Sequence, residues 1–243
     1  MNGQIFCTAI SDIGCVRKNN EDMAYVAGKL VRDGECDVTS SLKDGPVAFA
    51  VADGMGGYEG GEVASEIVLR AFAAFMDTFP AEGDDATVIT TFKRWAIDTN
   101  RLVLETARLR PSLSEMGTTF IALVFASGKL WLINIGDSRC YRIRNGVLKQ
   151  MSVDHSERER TGNPEIPSNL IYNFMGNAPE EFISDISCLN YFEDDVYILC
   201  SDGLSDFASE NEISMNGTSV HDLLQIAKGN GGKDNITIIR ILV

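Results

Sequence analysis

Apolar residues run along this chain in two rhythms. Stretches rich in β-branched and aromatic residues at 47–52 (VAFAVA), 118–125, 130–135, 196–200 and 236–243 read as strands. Between the first two lie two helical patterns. In one, Val63, Ile67, Ala71, Phe75 and Phe79 recur at spacing four with Ala64, Val68 and Phe72 beside them, a broad apolar stripe that Pro80 and Gly83 interrupt. In the other, Val88, Phe92, Trp95, Leu102 and Val103 carry a stripe as far as Pro111. Ser219 with Asp222 three residues on is a capping pattern that predicts a short third helix to Gly229. Segments 130–135 and 141–148 read as neighbours in a meander, with Asn145-Gly146 as a tight hairpin turn. The polar stretch 156–169, with two prolines, reads as an exposed loop.

Strand, helix pair, meander, then more strands is not the alternation of a parallel α/β sheet. It suits largely antiparallel sheets with helices packed outside. No repeat or interdomain linker interrupts residues 1–243, and a single domain is expected.

Charge narrows the function. With 35 acidic and 21 basic residues the net charge is −14, and no basic run exists to meet a phosphate backbone or an anionic membrane. Nucleic acid and membrane are therefore not expected as partners. The longest apolar stretch, 120–126, is far short of the ~20 residues of a membrane helix. The N-terminus has no Lys or Arg before Arg17, unlike a signal peptide, so a cytoplasmic location is expected. Six scattered cysteines form no C-x-x-C pair; Cys200, inside an apolar run, reads as a small core hydrophobe.

The carboxylates carry the candidate chemistry. VAFAVA ends at Asp53-Gly54, VYILCS at Asp202-Gly203 and LWLINIG at Asp137, while Asp234 immediately precedes the strand ITIIRILV. Antiparallel neighbours bring the end of one strand beside the start of the next, so four carboxylates can meet at one sheet edge. A lone Asp-Gly is ordinary turn chemistry. Four together are another matter, since two bare carboxylates ~5 Å apart repel by roughly 3 kcal/mol at an effective dielectric near 20. An all-oxygen set suits hard cations such as Mg2+ or Mn2+. His155 and His221 are the only histidines, lie far apart without a second-ligand pattern, and read as structural or solvent-facing. Phosphate loops, the dinucleotide fingerprint, a G-x-S-x-G elbow and a cysteine-phosphatase loop are all absent.

At this point the ordered set resembles the PPM family, the metal-dependent serine/threonine protein phosphatases of type 2C, in its bacterial form. Gly14, Arg17, Asn20, Glu21 and Asp22 resemble its N-terminal signature, Asp53 to Gly57 its first metal motif, and Met116 to Thr119 the strand start after the helix pair. Gly136 to Arg139 with Tyr141, Asp154-His155-Ser156, Ser201 to Leu204 with Asp206, and Asp234-Asn235 with Thr237 follow in family order.

The resemblance implies an α+β fold, a four-layer α-β-β-α sandwich of two antiparallel sheets flanked by helix pairs. It also implies two Mn2+ or Mg2+ ions, with a weaker third. Asp53 would bridge two ions, Gly54 would offer its carbonyl to one, and Asp202 and Asp234 would hold the other. Glu21 would act through water, and Asp137, sharing Asp202, would hold the third ion. Asp22 would orient the water network and Arg17 would grip the phosphate.

The activity implied is hydrolysis of phosphoserine and phosphothreonine in proteins by a metal-activated water, by a monomer opposing a serine/threonine kinase. Two readings compete: a non-catalytic phosphoprotein-binding module on the same fold, and a general phosphoesterase for small esters. The chain departs from the family pattern at Met55, where many eukaryotic members have histidine, and in a flap around 156–175 that is shorter than usual.

Overall fold

A computed structural model describes residues 3–56, 60–80, 82–215 and 217–243. Among these the chain runs β1 (Gln4–Asp12), β2 (Met23–Val26), β3 (Lys29–Val31), β4 (Gly34–Ser41), β5 (Val47–Ala52) and β6 (Gly54–Met55). The helices α1 (Gly60–Met76) and α2 (Asp85–Leu109) follow, then β7 (Gly117–Thr118), β8 (Phe120–Ala126), β9 (Lys129–Ile135), β10 (Arg139–Arg144) and β11 (Val147–Gln150). Short α3 (Glu157–Thr161) precedes β12 (Asp185–Leu189) and β13 (Val196–Cys200). The chain closes through α4 (Asp202–Ser205), α5 (Glu210–Ser214), α6 (Val220–Gly229) and β14 (Ile236–Leu242).

Two six-stranded antiparallel sheets form, ordered β11-β10-β13-β14-β1-β4 and β12-β9-β8-β5-β2-β3. Strand periodicity explains how they stack. In β5, wholly buried, Val47, Phe49 and Val51 point into the core between the sheets, while Ala48, Ala50 and Ala52 point outward under α1 and α2. Those small alanines leave room for the helices' aromatic side chains. On the other sheet, Ile198, Cys200, Ile236 and Ile238 pack outward against Leu204, Ile213, Leu223 and Leu224 of the C-terminal helices. Three apolar interfaces therefore separate four layers, as expected for the sandwich. One flank differs from a pair of long helices: it is built from α4, α5 and α6, the longest of only 10 residues.

The aromatic interface under α1 and α2 holds the helix pair. Phe72 is fully buried, with its ring centroid 5.3 Å from Tyr25, 5.3 Å from Trp95 and 5.0 Å from Phe120. Phe72→Ala is expected to cost about 3–5 kcal/mol, because the neighbouring rings cannot collapse into the space left. The check is the urea unfolding midpoint at constant slope.

Two sequence expectations change. Segments 130–135 and 141–148 are not neighbours: β9 lies in one sheet beside β8 and β12, and β10 in the other beside β11 and β13. The chain crosses between sheets at Gly136-Asp137-Ser138. The hairpin itself is as expected, Asn145 and Gly146 both taking positive φ, at 52° and 75°, between β10 and β11. The polar loop after 155 contains α3, capped by Ser156, whose hydroxyl accepts from the Glu159 N–H. All six cysteines are unpaired and Cys200 is buried. No helix among the described residues is long and apolar enough to cross a membrane.

Candidate active site

Strand pairing decides which residues meet. Met23 lies opposite Ala52, Val51 opposite Ile121, Phe120 opposite Ile135, Arg139 opposite Cys200 and Cys200 opposite Ile238. The residues just beyond these pairs, Glu21, Asp53, Asp137, Asp202 and Asp234, consequently emerge at one edge of the sandwich. They line a cleft of ≈ 540 Å3 together with Arg17, Lys18, Gly54, Asn169 and Ile171. Every sequence-derived site residue except Asp22 reaches this cleft; Asp22 lies fully buried. Gly57, the last residue of the first metal motif, lies outside the described residues.

Backbone contacts hold the edge together. Asp53 donates its N–H to the Thr119 hydroxyl at 3.0 Å, and its carbonyl accepts from the Thr119 N–H at 2.9 Å and the Thr118 hydroxyl at 2.8 Å. Thr119 also bonds the Ser138 hydroxyl at 2.7 Å, which ties the Asp53 turn to the Asp137 turn. Asn235 clamps the N-terminal loop: its Oδ1 accepts from Glu21 N–H at 2.9 Å, and its Nδ2 donates to the carbonyls of Ile13 and Asn19. Gly203 must be glycine, since a Cβ there would stand 1.8 Å from the Asn235 carbonyl oxygen. The same holds at Gly54, where it would meet Gly61 O at 2.2 Å and Glu21 O at 2.6 Å.

The charges are under strain. Burial, then the charges of Asp22, Asp202, Asp137 and Asp234, push the Asp53 carboxyl well above the usual range. Asp202 is raised likewise, by burial and then by Asp137 and Asp234. Burial and the neighbouring Asp154 carry Asp137 to about 7. Asp22 rises to about 6 through burial, opposed by the Ser201 hydroxyl that donates to its Oδ2 at 2.7 Å. Burial also raises Glu21, with Arg17 opposing.

Among the described residues Arg17 makes the one ion pair to this set. Its guanidinium donates to Asp234 Oδ2 at 2.7 Å while remaining about half exposed. The expected phosphate-gripping residue thus rests on an expected metal ligand.

The donor chemistry fits a hard divalent cation. All side-chain donors are oxygens, Asp22 Oδ1 is buried without a hydrogen-bond partner among the described residues, and the raised carboxyls show charge that a cation would relieve. Among the described residues no three His, Cys, Asp or Glu side chains close on one point.

A family model described as Protein phosphatase 2C matches residues 25–235. The chain belongs to the protein phosphatase 2C family. The match includes Asp53, Asp137, Asp202 and Asp234 and begins after Arg17, Glu21 and Asp22. Among 2C-family relatives, the serine/threonine protein phosphatase PstP of Mycobacterium tuberculosis is 33% identical over 245 residues, 95% of this chain and 43% of that protein. This chain therefore spans less than half the length of that relative. The serine/threonine phosphatase stp of Listeria monocytogenes is 30% identical over 250 residues, 95% of this chain and 93% of the relative. The crystal structure of the mycobacterial PstP superposes with TM-score 0.81 at 31% identity, covering 98% of this chain and 99% of that one. The PstP catalytic domain in complex with two manganese ions matches with TM-score 0.80 at 31% identity, covering 98% of each chain.

Ser201, Asn235 and His155 stood in the motifs that carry the resemblance, but with no role of their own. The structure gives them one: Ser201 holds Asp22, and Asn235 holds the loop of Arg17 and Glu21. Of the two expected alternatives His155 is structural: it is 2% exposed and contacts the turn of Asp137. His221 is exposed on the surface and pairs with Glu35 at 3.3 Å.

Proposed function

We propose that this chain is a divalent-cation-dependent phosphatase that removes phosphate from phosphoserine and phosphothreonine in proteins. The observation that carries the reading is the convergence of Glu21, Asp53, Asp137, Asp202 and Asp234, from five separate segments, with Arg17 on one cleft. The manganese-bound PstP domain and the serine/threonine phosphatase relatives support it.

Asp53 and the Gly54 carbonyl would hold one ion, with Asp53 shared by a second ion on Asp202 and Asp234; Glu21 would act through water, and Asp137 with Asp202 would take a weaker third. When bound, Mn2+ or Mg2+ supplies Lewis-acid neutralisation of phosphoryl oxygens and lowers the pKa of water. The Arg17 guanidinium, half exposed and resting on Asp234, would turn its planar fork to two phosphate oxygens of the substrate. Asp22, held by Ser201, keeps Oδ1 available to orient water behind Asp53. In the reaction a water oxygen bonds to phosphorus, the bond from phosphorus to the serine or threonine oxygen breaks, and a proton passes to that leaving oxygen.

The same reading makes residues 1–243 one phosphatase domain acting as a cytoplasmic monomer and reversing a serine/threonine kinase. Its short flap around 156–175 places Asn169 and Ile171 in the cleft wall, where they can select the residues flanking the phosphate.

The test is phosphate release from a phosphothreonine peptide by chelator-treated protein, before and after Mn2+ or Mg2+ is restored. Activity should vanish with the chelator and return with the metal. Folded protein inactive with both metals would favour a non-catalytic binding module, and preference for a small aryl phosphate would favour a general phosphoesterase.

A further inference from the structure

His155 is the one buried imidazole beside the cleft, and its partners determine where its proton sits. Its Nδ1 receives two donors: the Gly136 N–H at 3.1 Å and the Asn173 amide at 2.7 Å. The Asn173 amide cannot flip to relieve this. Its Oδ1 accepts from Ile183 N–H at 3.0 Å and its Nδ2 donates to the Ile183 carbonyl at 2.9 Å, a two-point lock on the main chain. Nδ1 is therefore the acceptor, and the proton lies on Nε2, which faces Asp185 Oδ2 at 3.1 Å.

The same residue holds the other polar group of Gly136, because His155 N–H donates to the Gly136 carbonyl at 3.0 Å. Gly136 turns at φ +112° with Thr119 packed where its Cβ would be, so this turn has a single close-fitting shape. It is also the crossing between the two sheets and carries Asp137.

We propose that His155 is a positioning residue for Asp137: the ring acceptor and main-chain donor of His155 grip Gly136 at both ends, and Asn173 and Asp185 keep the ring in the tautomer that allows it. The flap segment, through Asn173, is thereby joined to the aim of an active-site carboxylate. This rests on the phosphatase reading only for what Asp137 holds.

Two substitutions separate positioning from simple packing. His155→Asn places an amide oxygen where Nδ1 was, keeping an acceptor for Gly136; His155→Gln reaches toward Asp185 and leaves the Gly136 N–H without one. With Mn2+ alone as titrant, the binding step that Asp137→Asn removes is expected to weaken about tenfold in His155→Gln and by less than about threefold in His155→Asn. An unchanged step in His155→Gln, or equal losses in both variants, overturns the proposal.

Nitrogen NMR of the metal-free wild-type protein tests the same arrangement without a cation. It should show an unprotonated Nδ1 on His155 and a Gly136 amide protected from exchange; a proton on Nδ1 overturns the proposal whatever the titrations give. Wild-type protein that binds no Mn2+ would instead defeat the phosphatase reading, leaving the positioning of Gly136 to be decided by this spectrum. Should His155→Gln fail to fold, Asn173→Asp serves: a carboxylate beside Nδ1 draws the proton onto it, and the Gly136 amide should lose its protection. Retained protection there overturns the proposal.

Discussion

Asp53→Asn and Asp202→Asn are each expected to cut Mn2+-dependent phosphate release by more than about a thousandfold, a barrier increase of roughly 4 kcal/mol. Each replacement keeps the size and hydrogen-bonding shape of the side chain while removing the charge that would hold the cations. The same substitutions should stabilise the metal-free protein. Asp53 and Asp202 are pushed up by burial and by one another's neighbours, so a neutral amide relieves repulsion that the carboxylate suffers. The expected pattern is a lost activity with a melting temperature raised by about 2–4 °C. Activity within tenfold of wild type would overturn the assignment of these residues, and a lowered metal-free melting temperature would overturn the electrostatic account of the cleft.

The second large effect is on stability as a function of pH. Asp22 and Asp137 have folded-state pKa values of about 6 and about 7, above the carboxylate range of the unfolded chain. Between pH 4 and 7 the folded state therefore binds more protons than the unfolded state. By linkage, the stability of metal-free protein must fall as pH rises through that window. The ordinary case, a carboxylate depressed by its partners, runs the other way. The drop between pH 4.5 and 7.5 should be roughly 5 kcal/mol, or about 15 °C in melting temperature. Saturating Mn2+ at pH 7.5 should recover it, because a ligand that binds only the folded state stabilises it by mass action. Calorimetry with and without chelator measures both halves; a melting temperature that climbs steadily from pH 4.5 to 7.5 without metal would contradict this account.

These two results describe one design. The cleft gathers more negative charge than a fold without cations can comfortably bury, and Arg17 offsets only the part at Asp234. The aromatic interface beneath α1 and α2 stabilises the fold that carries this charge.

Much of the fold was legible along the chain. The helices α1 and α2 and the capping box of α6 appear at the expected places, because each is a local pattern that the helix period alone produces, although Phe79 of the first stripe packs beyond the end of α1 and Leu102 of the second is exposed. Strands β5, β8 and β13 are continuous apolar runs, and β9 and β14 are nearly so, broken by Asn134 and by Thr237 and Arg240, as strands largely buried on both faces are. Those that escaped notice are different. In β1, Ile5, Cys7 and Ala9 enter the core between polar and exposed positions; the edge strand β4 is mostly polar, and the edge strand β12 alternates polar with apolar residues over five positions, so neither makes an apolar run.

The aspartates could be read from sequence because each abuts an apolar strand, and a polar residue at such a boundary stands out. That they meet was only an expectation, since strand order and sheet membership depend on pairing between distant segments. The crossing at Gly136 shows the difference: adjacent strands in sequence part company there, and Asp137 reaches the cleft because β9 and β10 belong to opposite sheets. The sequence by itself determined which residues are apolar, which are charged and which elements they form, because those follow from local period and capping. Only the tertiary structure decided the burial that raises Asp22 and Asp137, the contact of Arg17 with Asp234 and the grip of His155 on Gly136. Each joins residues at least 19 positions apart, or depends on solvent being excluded by every layer at once.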